Sequence, residues 1–385
     1  MEGGSVPLSL LFLAGCTGLV YVLILYPALL HLAARRSRPV RRGPVTLSVS
    51  VIIPVRNGDR WLAGKLDSVL EQDYTGGPVD ILVVSDGSTD GSAAVAASYS
   101  ARGVRFEALP PGGKAVALTH AFSLLRGDLV LLTDVRQRLG ADSLRLLAEC
   151  FADPEVGVAS GDLAVLRGEG GEESSTGLYR RYEAWIRNNL SRVDSVLGAT
   201  GALYAIRREL AVPIPSLTIL DDVYLPMQAL LRGYRLVMEP AAKAYDYPTA
   251  LGSEFRRKVR TQAGIYQLLW LCPRLFLPAN RMWLHFLSLK AGRLLLPFFL
   301  LAAAIGVFGL PAWLRWPVAA AQAVFYASGI ADLWLPLTNP LKRWTAPCRT
   351  FLTLTGAALA AVSVFFVEPS SLWKETQVSK AASLP

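Results

Sequence analysis

Cysteine, histidine and charge are all scarce in this 385-residue chain. Four cysteines (Cys16, Cys150, Cys272, Cys348) stand singly and far apart. That dispersal supplies neither a disulfide framework nor the paired spacing of a zinc site, and it is compatible with a reducing compartment. Three histidines (His31, His120, His285) are equally scattered, which argues against a histidine metal centre. Charged residues make up only 18% of the chain against 52% hydrophobic ones. This balance is too apolar for an ordinary soluble protein and too charged for one lying wholly in a bilayer, so a soluble domain with membrane segments is expected. Internal repeats and low-complexity tracts are also missing.

No basic residue precedes the first apolar run, as a cleaved signal peptide would require. Residues 6–34 instead read as an uncleaved transmembrane anchor, with Arg35, Arg36, Arg38, Arg41 and Arg42 following at once. The positive-inside rule places those arginines in the cytoplasm, giving a multi-pass protein of the inner or plasma membrane whose main domain is cytoplasmic. The net charge of +9 comes largely from arginines beside apolar runs. It points to anionic lipid and anionic substrates as partners, with no nucleic acid.

From about Thr46 short β-branched runs alternate with amphipathic helices: strands near 48–55, 79–85, 104–109 and 128–133, and helices near 61–72, 91–102 and 114–126. This spacing predicts an α/β fold with a mostly parallel sheet covered on both faces. Each strand ends in polar groups: Arg56-Asn57, Asp86, the Pro-Pro-Gly-Gly turn before Lys114, and Asp134. Ligands in such sheets sit beyond the carboxyl ends of the strands, where Asp86 and Asp90 would project. Asp-Gly-Ser is equally ordinary turn chemistry. Further apolar stretches near 283–310, 316–337 and 350–367 predict C-terminal membrane segments. Lys290 and Arg293 place the crossing from about Leu294 and leave 254–293 as basic interfacial helices.

Taken together, Ser50-Val-Ile-Ile-Pro54-Val-Arg56-Asn57-Gly-Asp59, Val83-Val-Ser-Asp86-Gly-Ser-Thr-Asp90, Gly113-Lys114-Ala115, Thr133-Asp134 and Asp221-Asp222 with Gly233-Tyr-Arg235 resemble the membrane-bound family-2 glycosyltransferases. That group includes the cellulose, hyaluronan, chitin and poly-N-acetylglucosamine synthases. The resemblance covers roughly residues 46–270. It implies a GT-A domain, a Rossmann-like nucleotide-binding sheet, over 45–253, followed by C-terminal transmembrane segments within 294–367 and a tail of 368–385. The implied reaction is an inverting transfer of a hexose or N-acetylhexosamine from a UDP-sugar to a glycan acceptor at the membrane, with a β-linked product. A single transfer to a lipid acceptor, as in ceramide glucosyltransferases, is the alternative. A catalytically dead nucleotide-sugar sensor is an alternative of another class. With so few spans, export of a polymer would need an oligomer or a partner.

The resemblance assigns Pro54, Arg56, Asn57 and Asp86 to the nucleotide and Lys114 to the diphosphate. Lys114 heads a helix, where free N–H groups also suit phosphate; the ordinary alternative is an exposed surface lysine. Asp134 matches the first carboxylate of an Asp-x-Asp motif that binds Mg2+ or Mn2+, but Arg136 replaces the second. The metal could persist through Asp134, Arg136 could itself supply charge to the diphosphate, or Arg136 could simply pair with a nearby acid. Asp222 is the expected general base with Asp221 as its partner; the ordinary alternative is that the pair caps a helix. Gly201 and Tyr204 fall on the acceptor-side turn. Arg257 and Arg260 match the basic positions of a segment that packs over the nucleotide in processive members. Thr261 replaces that segment's tryptophan.

Overall fold

The computed structural model describes residues 5–166, 177–247, 251–336 and 338–367. It divides into two compact units: one of Arg36–Leu166 with Arg187–Pro248, the other of Met1–Arg35, Arg167–Ile186 and Thr249–Lys380.

The first unit is built on an eight-stranded sheet. Its strands are β1 (Val49–Val55), β2 (Val79–Asp86), β3 (Val104–Leu109), β4 (Leu129–Leu132), β5 (Arg138–Leu139), β6 (Val156–Val165), β7 (Tyr204–Arg207) and β8 (Arg235–Asp246), in the order β3-β2-β1-β4-β7-β6-β8-β5. Helices α1 (Asp59–Leu70), α2 (Ser92–Ser98), α3 (Lys114–Phe122), α4 (Ser143–Glu149) and α5 (Asp221–Leu231) belong to this unit. β1 reads VSVIIPV and is buried along almost its whole length, as a strand covered on both faces must be. It pairs in parallel with β2 and β4, and β2 pairs in parallel with β3.

The antiparallel strand β7 decides where the site forms. It runs against both β4 and β6, and Leu132 at the end of β4 pairs with Tyr204 at the start of β7. Because β6 and β8 are parallel, Asp246 at the end of β8 also lies on the carboxyl edge of β4. That edge therefore collects the ends of β1, β2, β4 and β8 and the beginning of β7.

In the second unit, three helices are long and apolar enough to cross a membrane: Val6–Ala33, Trp283–Gly309 and Lys342–Phe365. Glycines set the approach of the first two. A Cβ on Gly15 would lie 2.6 Å from the backbone of Phe299 and Ala303, and one on Gly306 would lie 2.3 Å from the Phe12 nitrogen. Small residues at such a seam let helix backbones touch, which is how packing is gained where lipid removes the hydrophobic drive.

Candidate active site

The centre of the carboxyl edge is an ionic bridge. The Lys114 ammonium lies 2.9 Å from Asp134 Oδ1 and 3.0 Å from Asp221 Oδ2. Burial opposes its charge, but Asp134 and Asp221, with Asp222 beyond, hold its pKa above the ordinary lysine value. Lys114 occupies the first position of α3 after Gly113, whose φ of +90° is cheap only for glycine. An ammonium at the positive end of a helix gains nothing from the helix dipole. The helix N-terminus and the ammonium are the groups of this cluster that attract an anion.

Pro54, Leu118, Leu132, Thr133, Gly201 and Tyr204 line the same cleft. Tyr204 is buried, and its hydroxyl has no hydrogen-bond partner among the described residues. Desolvation, followed by the Asp221, Asp222 and Asp134 carboxylates, raises this phenol well above its usual value, so it is a permanent donor facing acids.

Asp221 and Asp222 open α5. The N-cap is Leu220, which has no side-chain cap bond, so the pair sits in the first turn, where the helix dipole favours negative charge. Pro226 lies within this helix and has no N–H to give the carbonyl four residues back, that of Asp222. That carbonyl accepts the Ala199 N–H instead, at 2.8 Å, and so pins the 198–202 turn to the start of α5. A Cβ on Gly201 would come within 2.9 Å of Asp222 Oδ2, so only a glycine leaves that face open.

The nucleotide candidates form an adjoining network. Asp86, buried at the end of β2, accepts the N–H groups of Gly112 and Gly113 at 2.7 and 2.8 Å on one oxygen. Arg56 approaches the other at 3.3 Å. Asp86 thus shapes the turn that launches Lys114. Asn57 holds a left-handed φ of +51° and accepts the Thr89 N–H. Asp90 accepts the N–H groups of Asp59 and Ser92, so its carboxylate ties two loops together as a turn residue does.

Arg136 is paired with Asp246 through two parallel bonds of 2.8 and 2.7 Å. Of the three roles open to it in sequence, pairing with a nearby acid is the one in place. Arg257 and Arg260 lie on the helix Leu251–Leu271 of the other unit. There the Thr261 hydroxyl donates back to the Arg257 carbonyl at 2.9 Å.

Sequence reading passed over Lys65. Its side chain is fully buried on α1, and it donates to the Thr133 hydroxyl and the Gln137 carbonyl on either side of Asp134. Burial, partly offset by Asp134, lowers its pKa to about 7. The available signal was its place in the Leu62-Lys65-Leu66-Val69 stripe, all of it core.

Residues 50–211 match the family model for Glycosyl transferase family 2. The chain carries a family 2 glycosyltransferase domain. It is 31% identical over 296 residues to an N-acetylglucosaminyltransferase of Rhizobium sp. (strain N33), covering 70% of this chain and 64% of that protein. It is 29% identical over 247 residues to an N-acetylglucosaminyltransferase of Azorhizobium caulinodans, covering 58% of this chain and 61% of that one. The matched region therefore spans less than two thirds of either relative. Among solved structures, the mannosyltransferase PcManGT from Pyrobaculum calidifontis, in complex with GDP-Man and Mn2+, is similar in fold, with a TM-score of 0.69. The likeness covers 93% of this chain and 99% of that one at 23% identity. The family 2 domain is thus of GT-A fold, as the strand pattern and motifs led us to expect.

Among the described residues, no group of three or more acids, histidines or cysteines is placed to hold a metal ion by itself. Asp134 keeps a side chain 38% exposed at the strand end. Asp134, Asp221 and Asp222 surround a single ammonium, and the Arg136 charge is already matched by Asp246. An anionic ligand entering this excess of negative charge would be repelled by the acids, and a cation beside Asp134 would relieve the repulsion. Of the residues present, Asp134 fits an ion as a single ligand.

Proposed function

We propose that the protein is an inverting glycosyltransferase that moves N-acetylglucosamine, or a related hexose, from a UDP-sugar to a glycan acceptor at the membrane and forms a β linkage. The observation that carries this reading is the Lys114 bridge between Asp134 and Asp221, with Asp222 beside the open face of Gly201. The names of the relatives supply the sugar.

The nucleotide lies along Pro54, Arg56, Asn57 and Asp86. Its diphosphate reaches Lys114, which exchanges a carboxylate for phosphate oxygens at little electrostatic cost. Asp134 would hold a Mg2+ or Mn2+ ion, which would supply positive charge to the leaving group. The acceptor hydroxyl lies against Gly201, where Asp222 takes its proton as the oxygen attacks the anomeric carbon opposite the diphosphate. In-line attack inverts that centre. Asp221 keeps negative charge beside Asp222 and anchors Lys114. The catalytic unit faces the cytoplasm, on the side of Arg35–Arg42.

A single transfer to a lipid acceptor is the second reading. It is favoured by Thr261, whose hydroxyl is turned into its own helix where processive members present a ring. Product length on the active donor separates the two.

The test uses purified full-length protein and a panel of UDP-sugars with Mg2+ or Mn2+. Release of UDP is expected, greatest from UDP-N-acetylglucosamine and abolished by excess chelator. Asp222→Asn should lose about 10²–10⁴-fold in rate while still binding UDP. Binding without release from any donor would instead identify a sensor. Full activity in chelator would remove the ion from the mechanism.

A further inference from the structure

Lys65 has no place in the transfer chemistry just described, yet a fully buried ammonium is among the costlier groups a core can hold. Its neighbours explain what it holds. Lys65, Ser68 and Gln72 form a polar stripe at helical spacing along and just beyond α1. Lys65 donates to Thr133 Oγ1 and to the Gln137 carbonyl. Ser68 Oγ accepts the Leu139 N–H at 3.2 Å. Gln72 donates to the Gly140 carbonyl and accepts the Leu144 N–H, at 2.8 and 2.9 Å. One face of one helix thus fastens the whole stretch from Thr133 to Leu144, the segment that carries Asp134 and Arg136.

The Lys65 end of the stripe reaches further. The Thr133 hydroxyl, besides accepting from Lys65, donates to the Ala202 carbonyl at 2.6 Å. Ala202 follows Gly201 on the turn that lies against Asp222. A single lysine side chain is therefore linked through one hydroxyl to both sides of the cleft: the Asp134 turn and the Gly201 turn.

We infer that Lys65 is a positioning residue that sets the distance between the Asp134 turn and the Gly201 turn through the Thr133 hydroxyl. The inference rests on the transferase reading of this cleft. A shift of about 1 Å between donor and acceptor turns is enough to slow transfer roughly a hundredfold, while the nucleotide contacts at Asp86 and Arg56 stay in place. The signature is thus a lowered kcat with donor KM nearly unchanged.

The test compares Lys65→Met, Thr133→Val, the double variant and Thr133→Ser in the full chain, reading UDP release and amide exchange over residues 133–140 and 199–204. Lys65→Met and Thr133→Val should each lower kcat at least about tenfold, with donor KM within about threefold. Both should speed exchange in the two turns. The double variant should be no slower than the worse single one, because both break one link. Thr133→Ser, which keeps the hydroxyl, should restore the rate. A folded Lys65→Met protein with wild-type kcat, or rate losses that multiply in the double variant, overturns the inference. Should Lys65→Met fail to fold, the Thr133→Val and Thr133→Ser pair decides: equal rates refute the link. A wild-type chain that releases no UDP refutes the transferase reading instead. The exchange measurement then decides Lys65 alone, and unchanged exchange in both turns rejects it.

Discussion

At the scale of single residues, partners rather than residue types decide what each group can do. Asp86 spends one oxygen on two backbone N–H groups of the turn before Lys114. Asp86→Ala should therefore cost about 1–3 kcal/mol of stability as well as UDP affinity. Thermal melting with and without UDP will show both losses; unchanged stability would leave Asp86 a ligand contact only. Lys65 predicts a pH dependence. Its folded pKa is about 7 against an ordinary 10.5. Below pH 7 both states are protonated and the folded chain bears the full cost of a buried cation. Between 7 and 10.5 the unfolded chain binds the extra proton, so stability rises with pH through that window. Melting temperature measured across it should climb in the wild type, and this component of the slope should vanish in Lys65→Met. None of this was legible locally. Lys65 stands in an apolar stripe but carries a charge, and the acid that pairs with Arg136 is 110 residues away.

At the scale of elements, the strand and helix pattern transferred well from sequence to structure because it depends on near neighbours. Runs such as Val49–Val55 and Val79–Asp86 are β-branched, buried and parallel, and each ends in a polar group as read. The loop between them depends on distant atoms, and there Asp90 proved to be a turn residue. Helix α5 carries the clearest element-level prediction. Restoring an N–H by Pro226→Ala offers the Asp222 carbonyl an intrahelical donor in competition with Ala199. The helix should gain stability while the 198–202 turn loosens. Faster exchange of the Ala199 amide and a kcat lowered at least about tenfold are expected; an unchanged amide would reject the competition. The signal was present in the sequence, a proline four residues after an acid, but its meaning needed the 198–202 turn to be seen against it.

At the scale of the whole molecule, charge and aromatics bear on a fourth crossing beyond the three helices apolar enough to span a membrane. The helix Ala312–Ala331 has 20 residues, about 30 Å at 1.5 Å per residue, which matches a bilayer core. Trp313 and Trp316 stand exposed at one end, and Trp334 and Trp344 at the other, as residues of two interfaces do. Lys342 and Arg349 flank the buried Asp332 just past its far end. If this helix crosses together with Val6–Ala33, Trp283–Gly309 and Lys342–Phe365, then Lys342, Arg343 and Arg349 share the side of Arg35–Arg42. Without that crossing they fall on the opposite side, against the positive-inside rule. We expect cysteines placed at Leu310 and at Asn339, in a chain without its native cysteines, to react with an impermeant maleimide from opposite faces. Reaction from one face would remove the crossing. The sequence by itself determined what short-range order governs: apolar length, the basic flank, the alternation of strand and helix, and the polar ends of the strands. Only the tertiary structure decided which of those ends face one another, because β7 runs antiparallel and brings Tyr204 and Gly201 to the edge that β4 reaches with Asp134. Charges so collected must be neutralised locally, and that requirement, invisible along the chain, set Lys114 between two acids and Arg136 against Asp246.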